Sequence, residues 1–485
     1  MDTKINNNKE LKLWEALIPV VALIGMLAFN VFIYGDASLG GSNQFVLLLG
    51  GAVAAIVGYF NKVSFHKMLD EVANNIKSTA GAILILLMVG ALAGTWMVSG
   101  IIPSMIYYGL QILSPAIFLP ATLIICSVIS IATGSSWTTS ATVGIALIGI
   151  GGALGFDLGM VAGAVISGAY FGDKLSPMSD TTNLAPAMAG TDLFTHIKYM
   201  TLTTIPTYII TLILFIILGL SIEVNGDVNT NELLTAITTS FNVSGWLFLV
   251  PVIVIGLIVK KTEPLVALLV GTLLAGIFAV IFQPQIINQI AGVETMDFKS
   301  AYKGVMDAIT SKVVVPTENK TLADLFTSGG MAKMLPTIWL ILCAMVFGGI
   351  MDAIGALTRI SESLLKLAHT TFGLFASTVG SCLALNITAS DQYLAIVVPG
   401  KMFAKAYKDK GLAPENLSRT LEDTGTVTSV LVPWNTCGAY QAGTLGVSTL
   451  DYLPYAFFNI ISPFMTLIFA AFNIKIKQLV SSIKE

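Results

Sequence analysis

Charge is the scarcest commodity in this chain. Asp, Glu, Lys and Arg together make up 11% of its 485 residues, against roughly 25% in a soluble globular domain. A surface so poor in charge cannot face water over a body of this size, which excludes soluble enzymes and disordered chains. The net charge of -3 offers no basic footprint, so no nucleic-acid partner is expected. Cysteine is nearly absent: Cys126, Cys343, Cys382 and Cys437 lie in or beside apolar runs without a CxxC pair. That pattern predicts buried thiols rather than a disulfide framework or a zinc site. The histidines are His66, His196 and His369, none inside an apolar stretch. This argues against histidine-based metal or acid–base chemistry at membrane depth. Without a nucleophile–histidine or metal-ligand set in the apolar part, neither catalysis nor a resident cofactor is expected.

What is abundant is apolar. Hydrophobic residues reach 55%, glycine numbers 44, and the mean hydropathy is +0.83. The solvent is a bilayer, and the class is an all-α polytopic membrane protein. A spanning helix needs about 20 mostly apolar residues. Candidates are 17–33, 45–60, 79–98 and 199–219 in the first half, and 246–259, 264–282, 336–354 and 454–473 in the second. The polar start, residues 1–16, leads into the first run without an A-x-A-like cleavage site, so an uncleaved first span is expected.

Between these spans the apolar stretches are interrupted. Residues 116–132 and 137–153 flank the polar knot Thr133-Gly-Ser-Ser-Trp-Thr-Thr-Ser140. Residues 158–171 run into Gly172-Asp-Lys-Leu-Ser-Pro-Met-Ser-Asp-Thr-Thr-Asn183. The second half repeats the arrangement. Residues 372–388 and 391–404 flank Asn386-Ile-Thr-Ala-Ser-Asp391, and 416–432 lead into Val432-Pro-Trp-Asn-Thr-Cys-Gly438. Met88, Ser136, Leu175 and Ala189 find counterparts at Met345, Asp391, Leu431 and Ala442, all at offsets of about 255 residues. A constant spacing of similar motifs is the mark of an internal repeat. Two copies of one unit are expected.

Loop charge orients the copies. Lysine and arginine favour cytoplasmic loops, and here they collect in 61–77, at Lys198, Lys260-Lys261, Arg359, Lys366, between 401 and 419, and at the end of the chain. The expected layout is a cytoplasmic N-terminal segment (1–16), a first repeat (17–220), an extracytoplasmic linker (221–245), a second repeat (246–473) with a long loop (283–333), and a cytoplasmic tail (474–485). Each repeat has about five transmembrane helices plus one re-entrant hairpin whose arms are short. Five is odd, so the two copies are inverted. Segments 101–114 and 357–370 are expected to lie along the interface.

Inverted repeats with interrupted helices point to the binding site of a secondary transporter. A helix unwound inside a bilayer frees backbone groups, tolerated only where protein, water or a ligand meets them. The four breaks supply the candidate substrate- and ion-binding residues. The first two give Ser135, Ser136, Thr138, Asp173, Ser176, Asp180, Thr181, Thr182 and Asn183. The second two give Asn386, Thr388, Ser390, Asp391, Glu422, Asp423, Thr426, Trp434, Asn435 and Thr436. These are hydroxyl, amide and carboxylate oxygens, the ligand type a hard cation prefers. Ionisable residues at membrane depth are functional candidates by default, so Asp173, Asp180 and Asp391 are the leading charge carriers and the expected sodium ligands. A desolvated carboxylate holds its proton more tightly than one in water, so one group can carry a proton in one state and a cation in another. Local roles are the competing readings: Asp173 pairing with Lys174, Asp180 capping a helix, Glu422 and Asp423 sitting in a loop with Arg419, and Trp137 and Trp434 packing.

The stretch Gly172–Asn183, continued through Ala185-Pro-Ala-Met-Ala-Gly-Thr-Asp192 and His196, resembles the NhaC family of sodium/proton antiporters, including its malate/lactate antiporter branch. Glu422-Asp-Thr-Gly-Thr426 with Val432-Pro-Trp-Asn435 extends the resemblance into the second half. The resemblance implies sodium-coupled exchange, two inverted repeats with re-entrant hairpins and broken helices, a homodimer, and an elevator-like motion in the inner membrane. The expected activity is exchange of sodium for protons across the cytoplasmic membrane, both termini inside. The alternative is sodium- or proton-coupled transport of a small carboxylate, as in malate/lactate exchange, or of an amino acid.

Overall fold

The computed structural model describes residues 11–34, 41–221, 230–317, 323 and 326–479. Most of the N-terminal segment, part of the 221–245 linker, a piece of the 283–333 loop and the last six residues lie outside the described residues.

The chain is built almost wholly of helices. Its first half runs α1 (Leu13–Tyr34), α2 (Ser42–Phe60), α3 (Phe65–Val98), α4 (Ile101–Ile112), α5 (Pro115–Thr133), α6 (Ser136–Thr139), α7 (Ile145–Ala153), α8 (Leu158–Leu175), α9 (Asp180–Ala189) and α10 (Leu193–Ser221). Next come α11 (Thr230–Ser240), α12 (Leu249–Val259), α13 (Pro264–Phe282), α14 (Pro284–Ala291) and α15 (Phe298–Thr310), with a two-stranded ribbon of β1 (Val313–Val314) and β2 (Thr327–Ser328). The rest is α16 (Leu335–Ala353), α17 (Ala356–Leu365), α18 (Thr371–Thr388), α19 (Leu394–Asp409), α20 (Pro414–Leu421), α21 (Thr436–Leu445), α22 (Thr449–Tyr452) and α23 (Phe457–Ala471). Among the described residues eight helices are long and apolar enough to cross a membrane, and two bent pairs add up to two more.

The two halves repeat one order: three helices, a short helix, a helical hairpin, a broken helix and a closing helix. The first three of each half (α1–α3, and α12, α13 and α16) pack into one bundle, in which α3 and α16 meet at the centre. The hairpins (α5–α7 and α18–α19), the broken helices (α8–α9 and α20–α21) and the closing helices form a second bundle. Helix association in lipid relies on close packing rather than on expulsion of water, and α8 shows how. Its Gly168 and Gly172 lie on the backbone of α5 near Leu123, Ser127 and Ser130, while Gly159 and Gly163 lie on Asp451 and Tyr455. The Ser130 hydroxyl seals the α5 contact by donating to the carbonyl of Ala169 at 2.5 Å.

That contact fixes the direction of the hairpin. The start of α5 lies by the start of α8, since Gly151 touches both Phe118 and Val161, and the end of α5 lies by the end of α8. Parallel neighbours joined through a returning arm make a hairpin that enters and leaves on one side. Its tip, at Gly134, meets Met178 and Ser179 in the break. The broken helix then continues for the ten residues of α9, about 15 Å, alongside α19 and α20. The second hairpin does the same: the Ser390 carbonyl accepts the Thr436 amide at 3.0 Å at the head of α21.

Several expectations need correction. The first arm of each hairpin is not short: α5 and α18 have 19 and 18 residues. The loop 61–77 shrinks to 61–64, because Ser64 accepts the amide of Lys67 and starts α3 there. The 283–333 loop contains α14, α15 and the ribbon. Segments α4 and α17 each bury one face in the protein: α4 packs on α7 and α3, and α17 on α18 and α1.

Gly168→Leu is expected to destabilise the protein by about 1–3 kcal/mol, as overpacking of a tight contact does. Gly256→Ala, at a site with nothing within 4 Å, is expected to leave stability unchanged. Apparent melting temperatures in detergent separate the two.

Candidate functional site

Four chain interruptions converge where the hairpin tips meet the broken helices. Gly134 turns the first tip with φ +69°, and Ser390 turns the second with φ +59°. A serine in this left-handed region carries backbone strain. Each tip leads into a helix, α6 or α19, whose first amides have no helical partner, and a carboxylate meets one of them at each. Asp173 accepts the Ser136 amide at 3.2 Å and its hydroxyl at 2.6 Å. Asp391 accepts the Leu394 amide at 3.0 Å. Asp180 stands in the first turn of α9, whose cap is Ser179, not Asp180. Asp173 also sits in the last turn of α8, where the helix dipole disfavours an anion, so the amide of the facing half-helix holds it there.

A cavity of about 550 Å³ opens at this junction. Ser135, Ser136, Trp137, Thr138, Asp173, Ser179, Asp180, Thr181, Asp391, Gln392, Tyr393 and Thr436 wall it on the hairpin side. The opposite wall is Ser78, Thr79, Gly81, Ala82 and Ile85 of α3, and Lys261–Pro264 lie at its rim. The cavity therefore lies between residues of the two bundles, with the α12–α13 turn in its lining. Among the described residues Lys261 is the only basic one in the wall.

Eight of the nineteen candidate residues line this cavity: Ser135, Ser136, Thr138, Asp173, Asp180, Thr181, Asp391 and Thr436. The other eleven lie off its wall, and most are bound up in the backbone. Thr182 donates to the carbonyls of Asp173 and Lys174, and Asn183 to those of Pro177 and Ser179. Ser176 accepts the Met178 amide. Asn386 donates to the Gly425 carbonyl and Asn435 to that of Asn386. Trp434 Nε1 donates to the Ile387 carbonyl, and the Thr388 hydroxyl to the Ala384 carbonyl. Ser390 contributes its carbonyl to the second tip contact. Trp137 packs face to face on Tyr440 at 3.9 Å. Among the described residues no three His, Cys, Asp or Glu side chains come together as a metal set. Asp173, Asp180 and Asp391 line the same cavity without making up such a set.

Glu422, Asp423 and Thr426 lie behind the wall, in a π-helical turn, Glu422–Thr426, that follows α20. Glu422 and Asp423 are fully buried, as is Arg419, so this is no loop. Lys174 pairs with Asp423, not with Asp173, and also donates to Ser462 at 3.2 Å. Both partners are wholly inside, and the pair ties the first broken helix to the second. The Thr181 hydroxyl donates to Glu422 at 3.0 Å across the same seam. Arg419 lies over the rings of Tyr199 and Phe469. His196 corrects the expectation for histidine: it is fully buried, with Nδ1 at 2.8 Å from the Ser418 hydroxyl.

Sequence reading missed the α3 wall and the residues Gln392 and Tyr393. Ser78-Thr79-Ala80-Gly81 is a small, hydroxyl-bearing stretch at the edge of an apolar run, and that was its available signal.

Removing one partner of a buried ion pair strands the other charge, at a cost of about 3–5 kcal/mol. Asp423→Ala is therefore expected to lower the melting temperature sharply. The double variant Lys174→Met with Asp423→Leu is expected to regain most of the loss, and a double-mutant cycle of melting temperatures measures it.

The fold and site can be set beside known proteins. Residues 168–474 match the model of the Na+/H+ antiporter family. The Na(+)/H(+) antiporter NhaC of Alkalihalophilus pseudofirmus is 38% identical over 87% of this chain and 88% of its own. NhaC of Bacillus subtilis is 37% identical over 82% of this chain and 85% of its own. The malate-2H(+)/Na(+)-lactate antiporter of Bacillus subtilis is 36% identical over 94% of each chain. The resemblance carried by Gly172–Asn183 and Glu422–Asn435 therefore holds over most of the sequence, and the chain belongs to the Na+/H+ antiporter family of multi-pass membrane transporters.

Proposed function

We propose that this protein is a secondary antiporter that exchanges sodium for protons across the cytoplasmic membrane, with Ser136, Asp173 and Asp391 as the centre of the cation site. One observation carries the choice of cargo. At three of the helix starts the amide-bearing ends, which would otherwise recruit an anion, already have carboxylates of the protein itself, while the fourth, at α21, is met by the Ser390 carbonyl and the Asn435 side chain. Ser136 is taken by Asp173, Leu394 by Asp391, and the first turn of α9 contains Asp180. The polar groups that remain in the wall are mainly carboxylate and hydroxyl oxygens, with the Gln392 amide beside them and Lys261 toward the α12–α13 turn, a set that suits a hard cation.

The family supports the same reading, since two of its named relatives are Na(+)/H(+) antiporters. By the lysine and arginine distribution the rim at Lys261 is cytoplasmic, so this is the inward-open state. Sodium and protons are cargo; no resident cofactor is part of the proposal. Inner-membrane placement, cytoplasmic termini and a homodimer working by an elevator-like motion belong to the same proposal. A second reading, exchange of small carboxylates, draws on the malate/lactate relative and on a cavity of about 550 Å³, larger than one ion requires.

In proteoliposomes free of organic solutes, a sodium gradient is expected to drive proton movement, and Asp173→Asn and Asp391→Asn are each expected to abolish it with the protein still folded. Absence of sodium-dependent flux in the unaltered protein, with flux restored by malate or lactate, would reverse the choice of cargo.

A further inference from the structure

Building on sodium/proton exchange as the activity, we infer that proton and sodium occupy different carboxylates, and that Glu422, behind the cavity wall, carries the proton through a relay formed by Ser179 and Thr181.

The relay is continuous. Ser179 and Thr181 both line the cavity, and their hydroxyls lie 3.2 Å apart. Thr181 donates to Glu422 Oε1 at 3.0 Å. The Ser179 hydroxyl also interacts with Asp173, the carboxylate placed at the cation site; having a single proton, it delivers to Thr181 only when turned away from Asp173. Hydroxyls both donate and accept. When Thr181 passes its proton to Glu422 it takes one from Ser179, which takes one from cavity water. Each hydroxyl ends as it began, one proton has reached the carboxylate, and a hydroxide equivalent is left to the cavity water.

The surroundings of Glu422 suit a group that is neutral for part of the cycle. Its second oxygen, Oε2, is buried and makes no hydrogen bond of good geometry, the Thr426 hydroxyl of the same turn acting on the carboxylate from nearby. A carboxylate ionised with an unpartnered oxygen is expensive inside a protein, and the uncharged acid is not. The charges facing it are few. Lys174 and Asp173 act on it from α8, but Lys174 is held by Asp423. Asp180 is in the first turn of α9. His196 on α10 is turned to Ser418, and Arg419, on its own element, lies against Tyr199 and Phe469. The faces of α18, α19 and α23 packed on this turn present no buried charged side chain. Thr181 belongs to the first repeat and Glu422 to the second, so relay and acceptor meet only when the two broken helices are docked together.

The test separates sodium movement from proton coupling. With 22Na+ in proteoliposomes, Glu422→Gln is expected to retain equilibrium sodium exchange. It is expected to lose pH-gradient-driven sodium accumulation by about 10²-fold or more, the scale of a lost proton-transfer group. Accumulation like that of the unaltered protein in Glu422→Gln would overturn the assignment. So would loss of equilibrium exchange in a folded Glu422→Gln variant, since Glu422 would then belong to the cation site. Should that variant fail to fold, Thr181→Val is expected to slow pH-driven accumulation and Thr181→Ser to restore it; equal rates in all three proteins would exclude the relay. Failure of the antiport reading is distinct, because it removes sodium-dependent proton flux from the unaltered protein.

Discussion

Everything in this molecule follows from the intolerance of a bilayer for unpaired backbone. A helix interrupted at membrane depth leaves amides and carbonyls that cost several kcal/mol each if nothing meets them. Here they are met by one another and by side chains drawn from the other interruptions: Ser136 by Asp173, Thr436 by the Ser390 carbonyl, Gly425 by Asn386. The breaks are forced into company, and the place where they meet is a polar chamber in an apolar body. The site is the residue of that satisfaction: oxygens left over after the backbone has been served.

This division of labour explains why similar residues have different fates. Thr182, Asn183, Asn386 and Asn435 spend their polar groups on carbonyls of the breaks and so hold the geometry. Ser136 and Asp173 are also mutually bonded, yet remain in the cavity wall, where an ion can enter their arrangement. Behind them the Lys174–Asp423 pair and the Thr181–Glu422 bond join the two repeats. The bundle containing the tips meets the other bundle partly across the cavity and partly in direct contact, as where Gly348 lies on the Ala389 carbonyl and Gly443 on Thr337.

Much of the architecture was legible in the chain. The spans announced themselves through run length, and the repeat through the constant offset between Leu175 and Leu431 or Ala189 and Ala442. The hairpins were legible too, because Thr133–Ser140 and Asn386–Asp391 are polar where a span would be apolar. Less visible were elements whose local composition misleads. Arg419, Glu422 and Asp423 carry the charge density of a loop, yet all three are buried: Asp423 pairs with Lys174, Glu422 takes the Thr181 hydroxyl and Arg419 lies against two aromatic rings, neighbours in space and not in sequence. His196 was hidden for the same reason: its partner, Ser418, lies 222 residues away.

By itself the amino-acid order determined that the chain lives in lipid, that it is doubled, and where its helices must break, because hydropathy and repeat spacing are properties of neighbours along the chain. Only the tertiary structure decided which oxygens face the cavity and which are consumed by backbone. It also decided that Lys174 answers Asp423 rather than the adjacent Asp173, and that Glu422 sits one hydroxyl behind the wall. Those choices depend on how two inverted copies dock, and the contacts they create join residues some 240 positions apart.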